Sequence, residues 1–405
     1  MRTTPYWDGR SLLESNVPYM NTFSTTRKGR SRLHAVASPS RNLLSKIAGD
    51  YDERILAGLR FLRSRQRRNG GFNVYRASSL GFENWDLRHS SIEGFSVEFS
   101  NESDQVLPAL IIGRSLLHLS AHEDAERILR KITGYVWSNR LPGSLWKNNR
   151  CPDGKTCSMP VDIQSTAMAL AFLRERGETV KIPRSALFSN RDGQGLFHTF
   201  LMLRRGAKPS LGYWRAVWSL ACHRAVMSLF GKAPGFLRND ISVPMNAYML
   251  QLFGECPATE PIVGALKRMI SEGSEGDKYG WYRDAFSVYR HVSTAYRMGA
   301  MGLQDLRGTI VDRVFARYRP DGSFNGEVMD TARAICILLD LGVEDARVLR
   351  SALWLLSRQN EDGSWDRRAA YFDAGKSDTV VSYGSEDIVT ALCLEALSRS
   401  LGRKA

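Results

Sequence analysis

RSALWLLSRQNEDGSW, residues 350–365, is an amphipathic helix that runs into a Gly-containing turn and ends on an aromatic ring. Gly363 marks where such a helix can stop, because glycine takes left-handed backbone angles without strain. The same form occurs in AGLRFLRSRQRRNGGF, residues 57–72, and in RVFARYRPDGSF, residues 313–324. Gln66 and Gln359 each stand four residues before a glycine, where a side-chain amide is expected to bond the freed carbonyls of the last turn. Self-similarity of this kind signals a repeat architecture.

Turns like these are followed by helices of another character, apolar nearly all round. They begin near Asp104 (DQVLPALIIGRSLLHL), Asp162 (DIQSTAMALAFL), Asp240 (DISVPMNAYMLQLFG), Asp284 (DAFSVYRHVSTAYRMG), Asp330 (DTARAICILLDLG) and Asp387 (DIVTALCLEAL). A carboxylate at such a start caps free amides and complements the helix dipole, worth about 0.5–2 kcal/mol. Amphipathic helices alternating with apolar ones imply two concentric layers, the apolar set inside. The pattern predicts an all-α fold, an (α/α)6 toroid of six inner and six outer helices; strand-like alternation is nearly absent. Residues 1–49, Ser/Arg-rich and Pro-broken, read as a flexible basic arm, and 50–405 as the toroid, with a helical insertion at about 205–238.

Lys plus Arg number 56 against 42 Asp plus Glu, a net charge of +14. Such a field favours anionic partners, but outside the arm the basic residues form no long blocks, so nucleic acid is not expected. Six scattered cysteines fit a reducing cytoplasm. Cys151 and Cys157 read as two loop thiols, and no run of 18 apolar residues could span a bilayer. The insertion sequence 210–236, SLGYWRAVWSLACHRAVMSLFGKAPGF, combines Trp and basic residues as interfacial helices do. It reads as the third outer helix of the ring, with peripheral membrane contact as the alternative.

Arg350–Trp365 resembles the Gln-Trp repeat of squalene–hopene and oxidosqualene cyclases, and Ala57–Phe72 a Phe-ended copy. The resemblance, to the squalene-cyclase/prenyltransferase-like toroids, covers roughly residues 50–400 and implies the fold more than the activity. Class II terpene cyclases carry Asp-x-Asp-Asp-Thr-Ala at the start of one inner helix, the middle Asp donating the proton that begins cyclisation. The best match, Asp162-Ile163-Gln164-Ser165-Thr166-Ala167, has Gln164 at the donor position. Glu102-Ser103-Asp104 keeps an Asp there, and Asp330-Thr331-Ala332 keeps the later Asp. The zinc-dependent prenyltransferases need Asp, Cys and His near the end of the ring. The last His here is His291, so zinc chemistry is not expected.

Protonating an alkene takes a carboxylic acid kept protonated by burial and by a second carboxylate. Glu102 with Asp104 is the first candidate for that role, and Asp330 the second. A carbocation also asks for aromatic faces. Aromatic residues gather in the loops that feed the inner helices, which share one end of the ring. Phe99, Tyr75, Trp85, Trp281, Tyr282, Phe286, Tyr289, Trp365 and Tyr383 are the expected substrate contacts, with Asp162, Gln164 and Arg283. Arg76, Arg88, Arg290, Lys147, Arg150 and His291 are read as part of the same anion-friendly rim.

The expected function is protonation-initiated cyclisation of a linear isoprenoid or prenyl diphosphate by a cytoplasmic protein peripheral to the membrane. No cofactor is required, except Mg2+ if the substrate is a diphosphate. A non-catalytic isoprenoid or lipid binder, favoured by Gln164, and a protein-binding toroid stay open as alternatives. A lone ring also leaves one mouth open to water unless loops, the arm or a partner close it.

Overall fold

The computed structural model describes residues 41–80, 96–99, 104–150, 160–202, 240–276, 280–372 and 379–401, with Leu211, Trp214 and Trp218 of the insertion. The chain divides into two units, Met1–Lys46 and Ile47–Ala405, and the second holds the ring. Twelve helices are defined among the described residues. The inner six are α2 (Val106–Leu116), α4 (Ile163–Glu175), α6 (Val243–Phe253), α8 (Ala285–Arg297), α10 (Val328–Asp340) and α12 (Glu386–Leu401). The outer six are α1 (Arg41–Arg65), α3 (Glu123–Ser138), α5 (Arg184–Phe188), α7 (Glu260–Ser271), α9 (Leu306–Phe315) and α11 (Ala346–Leu356). Helix α1 begins at Arg41, inside the stretch read as arm.

Each inner helix packs on the next, from α2 through α4, α6, α8 and α10 to α12, and α12 packs back on α2. The circle is closed. Burial follows the two-layer pattern: Ile163–Leu173 of α4 and most of α10 are buried on every side, whereas α3 and α11 bury one face.

The repeat turns are joined to both layers by the same bonds. Gln359 Nε2 donates to Gly363 O and to Arg54 O of α1, both at 2.9 Å. Gln66 Nε2 donates to Gly70 O and to Ile128 O of α3, both at 3.1 Å. The glutamine therefore ties its own turn to the neighbouring outer helix, rather than only satisfying the end of its own. Gly363 has φ +88°, and a Cβ there would lie 2.4 Å from Ala57 O, so the turn presses directly on α1.

The tryptophans that close two of the turns are each locked twice. Trp365 Nε1 donates to Leu355 O at 2.9 Å, and its backbone N to Thr390 Oγ1 of α12 at 3.2 Å. Trp146 repeats both bonds, to Val136 O (2.8 Å) and Thr166 Oγ1 (3.0 Å). Phe197 N donates to Asn246 Oδ1 (2.8 Å) and Phe324 N to Thr331 Oγ1 (3.0 Å). Trp146 and Phe197 thus belong to the repeat, though neither follows the Gln-containing pattern.

Contrary to the expectation of almost no strand, short strands occur in the connections at the N-terminal end of the inner helices. β1 (Tyr75–Leu80), β2 (Ser96–Phe99), β5 (Tyr371–Phe372) and β6 (Thr379–Gly384) form an antiparallel sheet in the order β2-β1-β6-β5. Tyr75 pairs with Phe99 on one side and Gly384 on the other, and Tyr371 pairs with Tyr383. β3 (Asp104–Gln105) pairs with β4 (Asn149–Arg150). These segments are two to six residues long, too short for a period of two to stand out in the sequence. The sheet links the loop before α2 to the loop before α12.

Candidate active site

A hydrogen bond between inner helices that are not neighbours must pass through the interior of the ring. Three such bonds define what lies inside. Gln164 at the start of α4 donates to the hydroxyl of Tyr282, just before α8. Arg114 of α2 donates to Gln251 Oε1 of α6 at 3.2 Å. Arg290 of α8 bonds Glu395 of α12.

At the N-terminal end, two inner helices bring carboxylates together. Asp284 is the N-cap of α8, accepting from Ser287 N at 2.7 Å. Asp330 lies in the first turn of α10 and accepts from Asn325 Nδ2 at 2.8 Å. Arg333, one turn deeper in α10 and 7% exposed, reaches both oxygens of Asp284 at 3.3 Å. Burial first, and then the Asp284 carboxylate, push the Asp330 carboxyl up from 3.8 to about 6, against the pull of the Asn325 amide. This is a carboxylic acid about half protonated near pH 6 and about a tenth protonated at pH 7, beside a second carboxylate.

Asp162 is held up to about 6 by burial alone, and its oxygens accept from Ser165 N (2.6 Å) and Asn148 N (3.0 Å), so it is spent as a cap. Asp387, also pushed to about 6 by burial, faces Arg65 on the outer side of α12. The uniform reading of all six aspartates as caps therefore holds for Asp162 and Asp284, while Ser242 and Ser385 cap α6 and α12.

Below the acid pair is an aromatic wall. Tyr282 and Tyr248 share a hydrogen bond, and burial raises both phenols. His291 of α8 stands against both rings, with centroids 4.5 Å from Tyr282 and 4.6 Å from Tyr248. Burial, then Arg333, Arg290 and Arg114, hold its imidazole well below the usual range, so it is neutral.

The C-terminal end of the ring is filled by charge. Asp340 at the end of α10 bonds Arg290 and Ser293 of α8 and Arg399 of α12, the last at 2.5 Å, and pairs with Arg297 at 2.8 Å. Glu395 bonds Arg290, Arg399 (3.1 Å) and Ser115 Oγ of α2 (3.1 Å). Burial opposes ionisation of Glu395, but Arg290, Arg399 and His118 hold it down to about 2. Arg290, expected at the rim, is in this network, and His291 is beside it.

The other sequence candidates fall in several places. Tyr75 lies under the Arg367 guanidinium at 4.2 Å, and Tyr383 stacks on Tyr371 at 5.3 Å. Tyr371 in turn donates to Gln105 Oε1 at the start of α2, the ring neighbour of α12. Arg283 stands over the Phe372 ring at 5.3 Å, and Trp281 Nε1 donates to Asp240 Oδ2 at 3.0 Å. Three candidates face outward. Tyr289 donates to Glu275 beside Arg313 of α9, Phe286 packs on Phe324, and Trp365 is enclosed against α11. Asp104 and Phe99 are in β3 and β2, where only the backbone is described; Glu102 and Trp85 lie outside the described residues. Sequence reasoning missed Asp284 as the partner of Asp330, and Arg333, Tyr248 and His291 as interior groups. The i, i+3 spacing of Asp330 and Arg333 was the available signal.

Several solved structures share this ring. A variant of the type II terpene cyclase MstE from Scytonema, in complex with merosterolic acid A (product), superimposes with a TM-score of 0.61 at 16% identity, over 89% of this chain and 99% of that one. The fold is that of the type II terpene cyclases. A second MstE variant, in complex with geranylgeranyl dihydroxybenzoate (substrate), gives a TM-score of 0.59 at 15% identity, covering 88% of this chain and 99% of that chain. A protein from Actinoplanes gives 0.57 at 17%, covering 87% and 99%. The likeness is one of fold. No family model and no curated protein matches the sequence. Among the described residues, no group of three or more His, Cys, Asp or Glu is placed to hold a metal ion.

Proposed function

We propose that this ring is a protonation-initiated terpene cyclase acting on a linear isoprenoid, free or as a prenyl diphosphate, with Asp330 as the proton donor. The observation that carries the reading is the pair of carboxyl groups on adjacent inner helices, one of them raised to about 6. Asp330 gives its proton to an alkene carbon; the π electrons form the new C–H bond and leave a tertiary cation that the next alkene attacks. Asp284 keeps the proton on Asp330 beforehand, and Arg333 holds Asp284 in place. Tyr282 and Tyr248 offer ring faces to the developing charge, worth about 2 kcal/mol when desolvated. Gln164, at the donor position of the resembling motif, is engaged by Tyr282, so α4 supplies no acid there.

Two further features support this reading. The MstE chain is covered over 99% of its length, so one ring of this size makes up nearly the whole of a chain described as a type II terpene cyclase. Phe372 N donates to Trp281 O at 3.1 Å, tying the loop before α12 to the loop before α8 past the start of α10, which supports the exclusion of water. The far end is stopped by the Arg290–Glu395 network.

For membrane contact the support is a stripe of exposed apolar side chains in the insertion. Leu211, Trp214 and Trp218, at helical i, i+3, i+7 spacing, are 78%, 51% and 73% exposed. No helix among the described residues is long and apolar enough to cross a membrane.

The test is incubation with farnesyl and geranylgeranyl diphosphates, squalene and geranylgeranyl dihydroxybenzoate, with and without Mg2+ and with EDTA, followed by mass spectrometry. A cyclic product that disappears in Asp330→Asn is expected. Tight binding with no turnover would replace this reading by that of a lipid binder.

A further inference from the structure

A cyclisation that begins with a proton from Asp330 must end by losing one, and the residues above leave that step unassigned. We infer that His291 is the proton acceptor that ends the reaction, an inference that rests on the cyclase reading of the ring. Three observations place it.

His291 Nε2 is buried and has no hydrogen-bond partner. Buried polar nitrogens are nearly always bonded, so an open one inside a ring of helices calls for a role. The groups around it are occupied. The hydroxyls of Tyr282 and Tyr248 are bonded to Gln164 and to each other, and the backbone carbonyl of His291 accepts from Gln251 Nε2 at 3.1 Å.

The ring is also held where a cation would come to rest. Its edge-on contact with Tyr282, 76° between planes, and its tilted contact with Tyr248 place the imidazole among the aromatic faces that favour positive charge. With the neutral proton on Nδ1, Nε2 presents its lone pair. Burial first, and then Arg333 of α10, Arg290 on its own helix and Arg114 of α2, keep it unprotonated beforehand.

Depth is the third observation. Successive ring closures carry the cation away from the carbon first protonated, so donor and acceptor must be apart. His291 lies seven residues beyond Asp284, the neighbour of Asp330, so the backbone positions of Asp284 and His291 are about 10 Å apart along α8 at 1.5 Å per residue. In the final step a C–H bond next to the cation breaks, its electron pair forms the product alkene, and the proton passes to Nε2. One proton enters at Asp330 and one leaves at His291, so the conversion is an isomerisation.

The test compares products of wild type, His291→Phe and His291→Gln on whichever of the four substrates above the wild type consumes. Circular dichroism checks that both variants are folded. The expected result is that, of the substrate the variants consume, the share leaving as the wild-type alkene falls about tenfold or more in favour of alkene isomers or water-captured alcohols. Unchanged product ratios in both folded variants overturn the inference alone. Complete loss of consumption in them also overturns it, because initiation at Asp330 does not need a base. A wild-type chain that consumes none of the substrates overturns the cyclase reading along with it.

Discussion

Replacing Asp284 by Asn leaves the proposed acid in place and removes only the second cause of its raised pKa. Asn caps a helix as well as Asp does, so α8 should keep its start. With the Asp330 carboxyl at about 6, its protonated share is about 90% at pH 5, about 50% at pH 6 and about 10% at pH 7. Turnover at saturating substrate should therefore fall about tenfold for each pH unit above 6. Burial is the larger cause of the rise from 3.8, so losing Asp284 returns only part of it. The midpoint of the profile should move to lower pH, and turnover at pH 7 should fall by up to about tenfold, while at pH 4.5 the two enzymes nearly converge. The assay is product formation from pH 4.5 to 8, with Asp330→Asn as the inactive reference. Superimposable profiles for Asp284→Asn and wild type, or turnover in Asp330→Asn, would refute the assignment.

Stability should itself depend on pH. Asp162 and Asp387, raised to about 6, favour the folded state while protonated, and that stability is lost as pH rises from about 4 to 6, at about 3 kcal/mol each. Asp340 and Glu395, held low by arginines, lose theirs as pH falls below about 4. The melting temperature should peak near about pH 4, and a steady rise to pH 7.5 would contradict this. Arg290→Met leaves two enclosed carboxylates short of a partner and should cost about 3–5 kcal/mol in urea unfolding. A cost under about 1 kcal/mol would mean that the far-end network is not what seals the ring. Leu211→Ser with Trp218→Ser should weaken sedimentation with anionic phospholipid vesicles about tenfold or more at unchanged melting temperature. Equal sedimentation would remove the membrane proposal.

The ring was legible because its signal is local. A Gly turn with a following aromatic, then an apolar helix, can be read within twenty residues, and the order of the layers follows from polarity. What escaped is non-local. Asp284 and Asp330 stand 46 residues apart, on helices whose neighbourhood only the closed ring creates. Arg290, Arg399, Asp340 and Glu395 sit in segments that read as apolar, since four charges over three helices scarcely change the average; their mutual neutralisation is what lets them point inward. Trp146 escaped because one more residue separates it from its glycine than in the quoted turns, and Phe197 because the helix before it, Arg184–Phe188, is only five residues long. Their bonds to Thr166 and Asn246 are what place them in the repeat.

Stacked-repeat proteins that run in a line protect their two ends with special cap units and can lose a unit at either end. Here Gln359 clasps Arg54 across 305 residues, Arg65 meets Asp387 across 322, and α12 rests on α2. The described circle has no cap because it has no end. Removing α12 would not shorten an array; it would turn a closed circle into an open one with two raw edges, where α10 and α2 had been covered. On a ribosome, the early helices must wait for those of the opposite terminus before their inner faces are shielded.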